Sequence, residues 1–362
     1  MLSSVNSFAK ESLVRVSILN DADSFKLVVK DSFIVKDFKN NILYQNPKGF
    51  SGNVSISSKG IKLGSLNLKD SKAKIVVLKD KNFFINNRRY EGELNLFAKN
   101  NGKLLLVNVI DLEEYLKSVV PGEVPWYWPY ETLKAQAIIA RTFALYQTKE
   151  NNWRDYDLTD SVYSQVYGGK GANRFRATNA VKETASIVLT YKGKIFPAYF
   201  HSTCGGSTED ASNLWDIDHP SLKGVICTYC KGSSHYFWFK EIVKKDFLNK
   251  LKENNLAINE IKDIRVLERN NSGRVNSLVI VTPTGETVIS AKQIRKILGS
   301  DILKSLNFNI ILKENSILIE GFGWGHGVGL CQWGAYFQAR EGKSYGDILK
   351  FYYPGSELTK IK

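Results

Sequence analysis

A run of alternating glycines near the carboxyl end is the segment that most restricts how this chain can fold. Glycine occupies every second position from Gly321 to Gly329, with Phe, Trp, His and Val between them. In an extended chain the five glycines lie on one face, and that bare backbone lets another chain or a ligand approach closely. The spacing never fits G-x-G-x-x-G, so a dinucleotide-binding loop is excluded. Two interpretations remain open: tight sheet packing, or a glycine-lined groove floor with His326 available for hydrogen bonding.

The rest of the pattern predicts an α+β fold. Residues 13–98 form short β-rich stretches separated by turn-forming residues, so we expect residues 1–87 to be a β-rich N-terminal domain. We expect residues 88–239 and 316–362 to build a mixed α/β catalytic core with a groove. Residues 240–315 carry helix and strand patterns of their own and are expected to form a smaller α+β insertion subdomain. A chain of 362 residues is long enough for several such cores.

Two helices are expected at the start of the predicted core. Asp111 can cap a helix that runs through Val120 and is stopped by the Pro-Gly pair that follows. A second helix starts at Pro129 and runs to about Lys149. This second helix is apolar most of the way round and is expected to be buried, so its charged groups need partners. The polar residues concerned are Lys134, Gln136 and Arg141.

The charge balance favours partners of opposite sign. Lys and Arg number 50 against 36 Asp and Glu, a net charge of +14, which favours nucleic acids, acidic lipid surfaces or anionic cell-wall polymers. Because the lysines are scattered and no recognition motif accompanies them, we do not expect nucleic-acid binding. No apolar run approaches the ~18 residues of a membrane-spanning helix, so no membrane span is expected in this chain. The first residues show no signal-peptide pattern.

One carboxylate stands in an unusual setting. Glu123 lies between two prolines in the sequence Pro-Gly-Glu-Val-Pro, and Val and Trp residues flank it. Apolar surroundings raise the pKa of a carboxyl group by disfavouring its charged form, and a raised pKa suits a general acid near neutral pH. The alternative interpretation is a surface glutamate in a turn between two helices.

A strand that runs into a Gly-Gly turn presents three polar side chains together. These are His201, Ser202 and Thr203. A Ser–His nucleophile pair is conceivable there, but no G-x-S-x-G elbow accompanies it. We therefore do not expect a serine hydrolase.

The cysteines suggest a metal site or a disulfide. Cys227 and Cys230 form a C-x-x-C pair, and His235 follows five residues later. With Cys204 they supply three sulfurs and an imidazole, enough for a tetrahedral zinc site. His201 could replace His235 as the fourth ligand. A disulfide from Cys204 to one of the pair, or three reduced core thiols, are the rival interpretations.

Three segments together are similar to one known family. They are V-V-P-G-E-V-P at residues 119–125 with L-K-A-Q-A-I-I-A-R-T at residues 133–142, then H-S-T-C-G-G at residues 201–206, and G-H-G-V-G-L-C-Q-W-G-A at residues 325–335. In order and spacing they resemble the stage II sporulation protein D (SpoIID) family, also called the LytB or amidase-enhancer family. The similarity covers roughly residues 88–355.

The resemblance implies a lytic transglycosylase of peptidoglycan, working in the cell envelope on glycan strands. The glutamate of the family's P-x-E-x-P turn matches Glu123, which would act as general acid and then base to form a 1,6-anhydro-N-acetylmuramic acid end. No cofactor is required for that chemistry. The alternative is a non-catalytic peptidoglycan-binding module that stimulates a cell-wall amidase, and such an amidase or another wall hydrolase is a possible partner in either case.

Two helix residues, Lys134 and Arg141, match family positions implicated in function. The three matching segments together contain the expected substrate-binding residues. They are Lys134, Gln136, Arg141, His201, Ser202, Thr203, His326, Gly327 and Gln332. One family feature is missing, because some members bind zinc through a histidine and two cysteines ahead of a C-Q-x-Y-type segment. The matching residues here, Tyr156 to Tyr167, contain no Cys or His. Any structural zinc would have to use Cys204, Cys227, Cys230 and His235 instead.

Overall fold

The chain folds into two units. The computed structural model describes residues 12–58, 60–161, 164–171 and 174–361. Of these, the first unit takes the residues up to Pro197 and those from Leu358, and the second unit is Ala198–Glu357. Helices and strands occur together in both units, which confirms the predicted α+β class. Among the described residues, no helix is both long and apolar enough to cross a membrane.

Two mostly antiparallel sheets form much of the first unit. Its strands are β1 (Leu13–Ala22), β2 (Ser24–Val29), β3 (Phe33–Lys36), β4 (Ile42–Asn46), β5 (Phe50–Ser57), β6 (Gly60–Leu63), β7 (Leu66–Asn67), β8 (Lys72–Val77), β9 (Asn82–Ile85), β10 (Arg88–Glu91), β11 (Glu93–Ala98), β12 (Leu104–Asp111) and β13 (Leu158–Thr159). One sheet has the order β13-β1-β12-β11-β8-β3-β4 and the other β10-β9-β2-β5-β6-β7. In β2, Phe25, Leu27 and Val29 are buried while their neighbours are more exposed, the period of two that a half-buried strand requires.

The sheet order changes the predicted domain division. Strand β12 pairs with both β1 and β11, and β13 pairs with β1. The predicted separate domain of residues 1–87 is therefore wrong, because its strands share a sheet with the segment that follows. The predicted core of residues 88–239 and 316–362 is also divided, between Pro197 and Ala198. Sequence patterns report local structure and do not reveal which strands pair.

Helices α1 (Leu112–Glu123), α2 (Tyr130–Glu150) and α3 (Phe175–Glu183) complete the first unit with strands β14 (Ile187–Tyr191) and β15 (Lys194–Ile195). The Asp111 side chain caps α1 by accepting the Glu113 and Glu114 N–H groups at 2.9 and 3.1 Å, as predicted. The predicted stop after Val120 is wrong, because α1 continues through Pro121 to Glu123. A proline there removes one helix hydrogen bond near the end, and the fully buried Val119 and Val120 hold the last turn in place. Helix α2 lies within a residue of its predicted bounds.

The second unit is built around a hydrophobic cluster. Its elements are β16 (Phe200–His201), α4 (Ser212–Trp215), two 3₁₀ turns (Pro220–Leu222 and Tyr229–Gly232), β17 (Phe237–Val243), α5 (Lys244–Glu253), β18 (Asp263–Arg269), β19 (Val275–Thr282), β20 (Gly285–Ser290), α6 (Ala291–Leu298), β21 (Phe308–Leu312), β22 (Ser316–Phe322), β23 (Leu330–Cys331), α7 (Gln332–Arg340) and α8 (Tyr345–Tyr352). The cluster joins Phe247 and Ile294 of the predicted insertion to Trp238 and Ile319 outside it. The insertion of residues 240–315 is thus not a separate subdomain, since its core continues into the flanking strands β17 and β22, which pair with each other. The last strand, β24 (Glu357–Lys360), pairs with β14 of the first unit, to which its residues from Leu358 belong.

The alternating glycines are only partly extended. Strand β22 ends at Phe322, and beyond it the chain bends repeatedly instead of presenting one flat glycine face as predicted. The bends place the run against the backbone of residues 199–204. At Gly323 the φ angle is +79°, and a Cβ atom would lie 2.5 Å from the carbonyl oxygen of Thr203. At Gly329, with φ +70°, a Cβ would collide with the Tyr199 carbonyl. Of the two interpretations, close backbone packing is what these contacts describe.

Candidate active site

Glu123 is the last residue of α1, and its carboxyl group is held by a backbone donor. The side chain is half-buried, and Oε1 accepts the N–H of Val166 at 2.7 Å. Gly122 makes this approach possible, because a Cβ there would lie 2.9 Å from the Val166 carbonyl oxygen. The glutamate is therefore positioned by helix and loop together, and does not simply project from a turn into solvent.

The loop that holds Glu123 is itself anchored by a buried amide. Gln165 is fully buried, accepts the hydroxyl of Tyr115 on α1 at 3.1 Å, and donates to the Ala140 carbonyl on α2 at 3.2 Å. Tyr167, two residues later, is also buried, and its hydroxyl donates to Asn108 at 2.7 Å. Gln165 and Tyr167 thus fix the Val166 N–H from both sides. The sequence did not reveal this role, although Gln165 and Tyr167 lie in the stretch that matches the family's C-Q-x-Y-type segment.

Two aromatic side chains that follow Glu123 in the chain are exposed to solvent. In the link between α1 and α2, Trp126 is 41% exposed and Tyr127 is 66% exposed, and their rings meet edge to face at 5.9 Å. The Arg174 guanidinium lies 5.4 Å from the Trp126 ring centroid. Exposed aromatic faces of this kind offer flat apolar surface to a ligand. In the sequence, Trp126 stood out only as an apolar neighbour of Glu123, and Tyr127 was not singled out.

Lys134 forms a partly exposed ion-pair cluster. Its Nζ lies 3.0 Å from Glu183 on α3 and 3.4 Å from Glu131 on α2. The hydroxyl of Tyr130 also donates to Glu183, at 2.8 Å. Burial lowers the pKa of Lys134, but the hydrogen bonds and charges of the two glutamates outweigh it and raise that pKa overall. The lysine is therefore a permanent cation that connects α2 to α3.

Arg141 is buried with its partners. Its guanidinium binds Glu113 of α1 through two hydrogen bonds of 2.7 and 2.8 Å, and donates to the carbonyls of Ile187 and Val181 at 3.0 and 3.3 Å. The Arg141 side chain is fully buried, and Gln136 is almost fully buried. These contacts supply the partners that the sequence analysis required for a buried helix. They give Arg141 a structural role that joins α1, α2 and β14.

The second unit gathers most of the other predicted residues around two histidines. His201 donates from Nδ1 to the Val328 carbonyl at 3.1 Å, and its ring lies 5.6 Å from that of His326. The His326 ring also contacts Tyr199 and Trp215, at 6.1 and 5.1 Å. The other predicted residues of this unit lie close to these histidines in the sequence. The hydroxyl groups of Ser202 and Thr203 are 3.4 Å apart, and Gly327 packs against the Arg274 guanidinium. Gln332 is the first residue of α7, and its side chain is buried.

Both histidines are neutral at neutral pH. Burial lowers the pKa of His326 to about 4, with the positive charges of Arg295 and Arg274 acting in the same direction. Burial is the main reason that the pKa of His201 lies well below its ordinary value, and the electrostatic effects of His326 and Arg274 lower it further. Neutral imidazoles can both donate and accept hydrogen bonds, so this pair suits recognition of hydroxyl and amide groups.

The lowered pKa of His326 predicts that the protein loses stability in acid. Since the folded-state pKa of His326 lies below the ordinary 6.5, the unfolded chain takes up a proton first as the pH falls. The free energy of unfolding should be insensitive to His326 above pH 6.5 and should decrease between there and about pH 4, by at most about 3 kcal/mol. Urea denaturation at several pH values checks this, with His326→Gln expected to show a shallower decrease. An equally steep decrease in that variant would contradict the prediction.

Four buried cysteines of the second unit converge on one point. They are Cys204, Cys227, Cys230 and Cys331, and their Sγ atoms all lie within 4.8 Å of one another. Cys331, and not His235, completes the predicted set, because the His235 ring packs edge to face on Trp324 at 4.5 Å. His201, the other predicted fourth ligand, is engaged with Val328. Cys331 was not assigned from the sequence, although it lies two residues after the last glycine of the run and was the one cysteine left over.

Comparison with known proteins identifies the family to which this chain belongs. The model of the Stage II sporulation protein family (SpoIID) matches residues 100–191, which contain α1, Glu123 and α2. The Stage II sporulation protein D of Bacillus amyloliquefaciens is 32% identical over 274 residues, which are 70% of this chain and 76% of that protein. The chain belongs to the SpoIID family. The resemblance drawn from the three sequence segments is thereby confirmed.

Further matches cover more of this SpoIID-family chain. An uncharacterized protein of Brachyspira hyodysenteriae is 32% identical over 360 residues, 99% of this chain and 96% of that protein. The amidase enhancer of Bacillus subtilis is 28% identical, and the match spans 67% of this chain but only 40% of that protein. A second family model, Domain of unknown function (DUF8618), matches residues 221–329, within the second unit.

Proposed function

We propose that this chain is a peptidoglycan lytic transglycosylase of the cell envelope, with Glu123 as its single acid and base. The observation that carries the proposal is the carboxyl group of Glu123, half-buried at the end of α1 and oriented by the Val166 N–H. The exposed rings of Trp126 and Tyr127 follow it three and four residues later, and all three residues lie in the segment that the SpoIID family model matches. Family membership supports a role in the cell wall, and the geometry supports proton transfer at a bound sugar.

One carboxyl group is sufficient for this reaction. Protonated Glu123 gives its proton to the oxygen that bridges N-acetylmuramic acid to N-acetylglucosamine, and the C1–O bond breaks. The resulting carboxylate then removes the proton from the C6 hydroxyl of the same muramic acid residue. That hydroxyl oxygen bonds to C1 and closes a 1,6-anhydro ring, so no water is consumed and Glu123 is protonated again. Hydrolytic glycosidases normally need a second carboxylate to activate water or act as nucleophile.

The predicted substrate-binding residues fall into two groups, those that are partly exposed and those that are buried. Lys134, Ser202 and His326 are partly exposed, so they remain candidates for contact with glycan. Burial of Gln136, Arg141 and Thr203 favours roles in holding the scaffold around the site. All nine residues remain proposed glycan contacts, with the partly exposed ones the strongest candidates.

A second function is favoured by one relative. The matched protein from Bacillus subtilis is named an amidase enhancer. This chain could accordingly act as a non-catalytic wall-binding module that stimulates a partner amidase, using the same exposed aromatic surface. The two functions differ in whether the chain alone cuts glycan.

Incubation with purified glycan strands separates these functions. Strands with and without stem peptides are treated with wild-type protein and with Glu123→Gln, and the products are identified by mass spectrometry. Anhydro-ended fragments formed by the wild type and absent with Glu123→Gln support the enzyme. Tight binding of strands by both proteins without fragments would contradict it and support the module.

The exposed aromatic pair predicts a binding defect. An N-acetyl sugar that covers the Trp126 ring removes apolar area from water, so Trp126→Ala should raise KM about tenfold and change kcat little. Trp153→Ala is the matched control, because Trp153 is 74% exposed at the end of α2, away from the α1–α2 link. Kinetics on soluble glycan fragments check the difference. Equal effects of the two substitutions would show that Trp126 does not contact sugar.

A further inference from the structure

The four-cysteine cluster brings together three separate segments of the second unit. Cys204 follows β16, Cys227 and Cys230 flank the start of a 3₁₀ turn, and Cys331 caps the first turn of α7. All four are buried, and their sulfurs lie within 4.8 Å of one another. Four thiols contributed by three distant parts of a chain need a reason to converge, since no single turn brings them together.

The spacing of the sulfurs fits a tetrahedral metal. Four sulfurs at about 2.3 Å from a central zinc ion lie about 3.8 Å from each other. The Sγ atoms of Cys204 and Cys230 are 3.3 Å apart, and every other separation stays within 4.8 Å. A disulfide bond would bring two sulfurs to about 2.05 Å and leave the other two thiols unexplained. One ion at the centre uses all four.

The surroundings donate hydrogen bonds to sulfur. The Sγ of Cys331 accepts the backbone N–H of Cys204 at 3.2 Å and of Gly334 at 3.3 Å. The hydroxyl of Tyr352 lies 3.2 Å from Cys227 Sγ. Gly334 leaves room for this arrangement, because a Cβ there would lie 3.1 Å from Cys227 Sγ and collide with the Tyr352 hydroxyl. Such donors stabilise thiolates and tune metal-bound sulfur.

A buried cation lies next to the cluster. Arg274 is almost fully buried and donates from Nη2 to the Cys204 carbonyl at 2.9 Å. The Nε atom of Arg274 also lies 4.0 Å from Oε2 of the buried Glu209. A zinc ion with four thiolates carries a net charge of minus two, and Arg274 offsets part of that charge in a region of low dielectric constant.

We propose that Cys204, Cys227, Cys230 and Cys331 bind one structural zinc ion. On binding, each thiol releases its proton to solvent and bonds to zinc through the thiolate. Four protein ligands leave no open position for water or substrate, so the ion holds structure and takes no part in catalysis. It ties the turn after β16 and the start of α7 to the 227–230 turn. The site is independent of Glu123 and of the proposed glycan chemistry.

Metal analysis of the full-length chain tests the proposal. Protein purified without added metal, under anaerobic conditions, is examined by native mass spectrometry and elemental analysis. We expect one equivalent of zinc in the wild type, and four thiols that become alkylated only after denaturation with a chelator. Cys331→Ser should lose the zinc, whereas His235→Ala, the control for the rival ligand set, should retain it.

Replacement of zinc by cobalt in the wild-type protein tests the same proposal if Cys331→Ser does not fold. Wild-type protein stripped by a chelator and given Co²⁺ should show the strong visible absorption of tetrahedral cobalt with thiolate ligands. Adding Zn²⁺ should remove that absorption and restore the melting temperature lost on stripping. Bound iron, a disulfide among the four cysteines in the purified protein, or four reduced thiols that take up neither metal would each overturn the proposal. Zinc lost in His235→Ala would also overturn the four-cysteine assignment.

Discussion

Glu123→Gln is expected to lower kcat for glycan cleavage by about 10²–10⁴-fold, the usual contribution of a general acid or base. The amide cannot give or remove the proton, but its oxygen can still accept the Val166 N–H that now bonds to Oε1 at 2.7 Å. The substitution should therefore leave the melting temperature and strand binding close to those of the wild type. Release of fragments from glycan strands, with melting measured on the same samples, checks both expectations.

A control on the same helix makes this result specific. Glu114 lies in the first turn of α1 and pairs with Lys117. Glu114→Gln removes one negative charge from that helix without touching the loop at Val166, so it should keep wild-type turnover. If Glu123→Gln cuts strands as fast as Glu114→Gln, Glu123 is not the acid.

Arg141→Met is expected to destabilise the protein by about 3 kcal/mol or more, because removing one member of a buried ion pair leaves the other without compensation. Glu113 would lose two hydrogen bonds, and the carbonyls of Ile187 and Val181 would each lose a donor. Lys134→Met is the comparison. Its ion pairs with Glu131 and Glu183 reach solvent, so the same replacement should cost under about 1 kcal/mol.

Urea denaturation followed by tryptophan fluorescence measures both variants. A double-mutant cycle with Glu113→Gln isolates the Arg141–Glu113 interaction, and a clear coupling energy is expected. Should Arg141→Met unfold at the wild-type urea concentration while losing activity, Arg141 would contact substrate as first expected, and its assignment to the scaffold would fail.

Local patterns predicted the elements of this fold well. The α2 helix followed from its continuous apolar periodicity, and α5 and α6 follow the patterns at residues 244–253 and 291–298. These elements depend on propensity, caps and turns that lie within a few residues of one another. The division into units did not follow, because it depends on pairings such as β1 with β12, whose partners lie about ninety residues apart.

The candidate site shows the same limit. The sequence singled out Glu123 but placed it in a turn, since proline is a strong local signal and the burial of Val119 and Val120 is not visible locally. Its hydrogen bond to Val166 spans 43 positions, and no short motif encodes such a contact. Cys331 joins the other cysteines across the second unit in the same way. The sequence was enough to predict which side chains could do chemistry, but the residues that contact them in the fold were visible only in the three-dimensional structure.

Cleavage in oxygen-18 water tests the central claim most directly. Glycan strands free of stem peptides are treated with wild-type protein in labelled water, and each new end is identified by mass spectrometry. If Glu123 first protonates the bridging oxygen and then activates the C6 hydroxyl, every new muramic acid end is a 1,6-anhydro ring with no label. Labelled reducing ends in the wild-type reaction, absent with Glu123→Gln, would mean that water attacks C1 and would contradict a lytic transglycosylase.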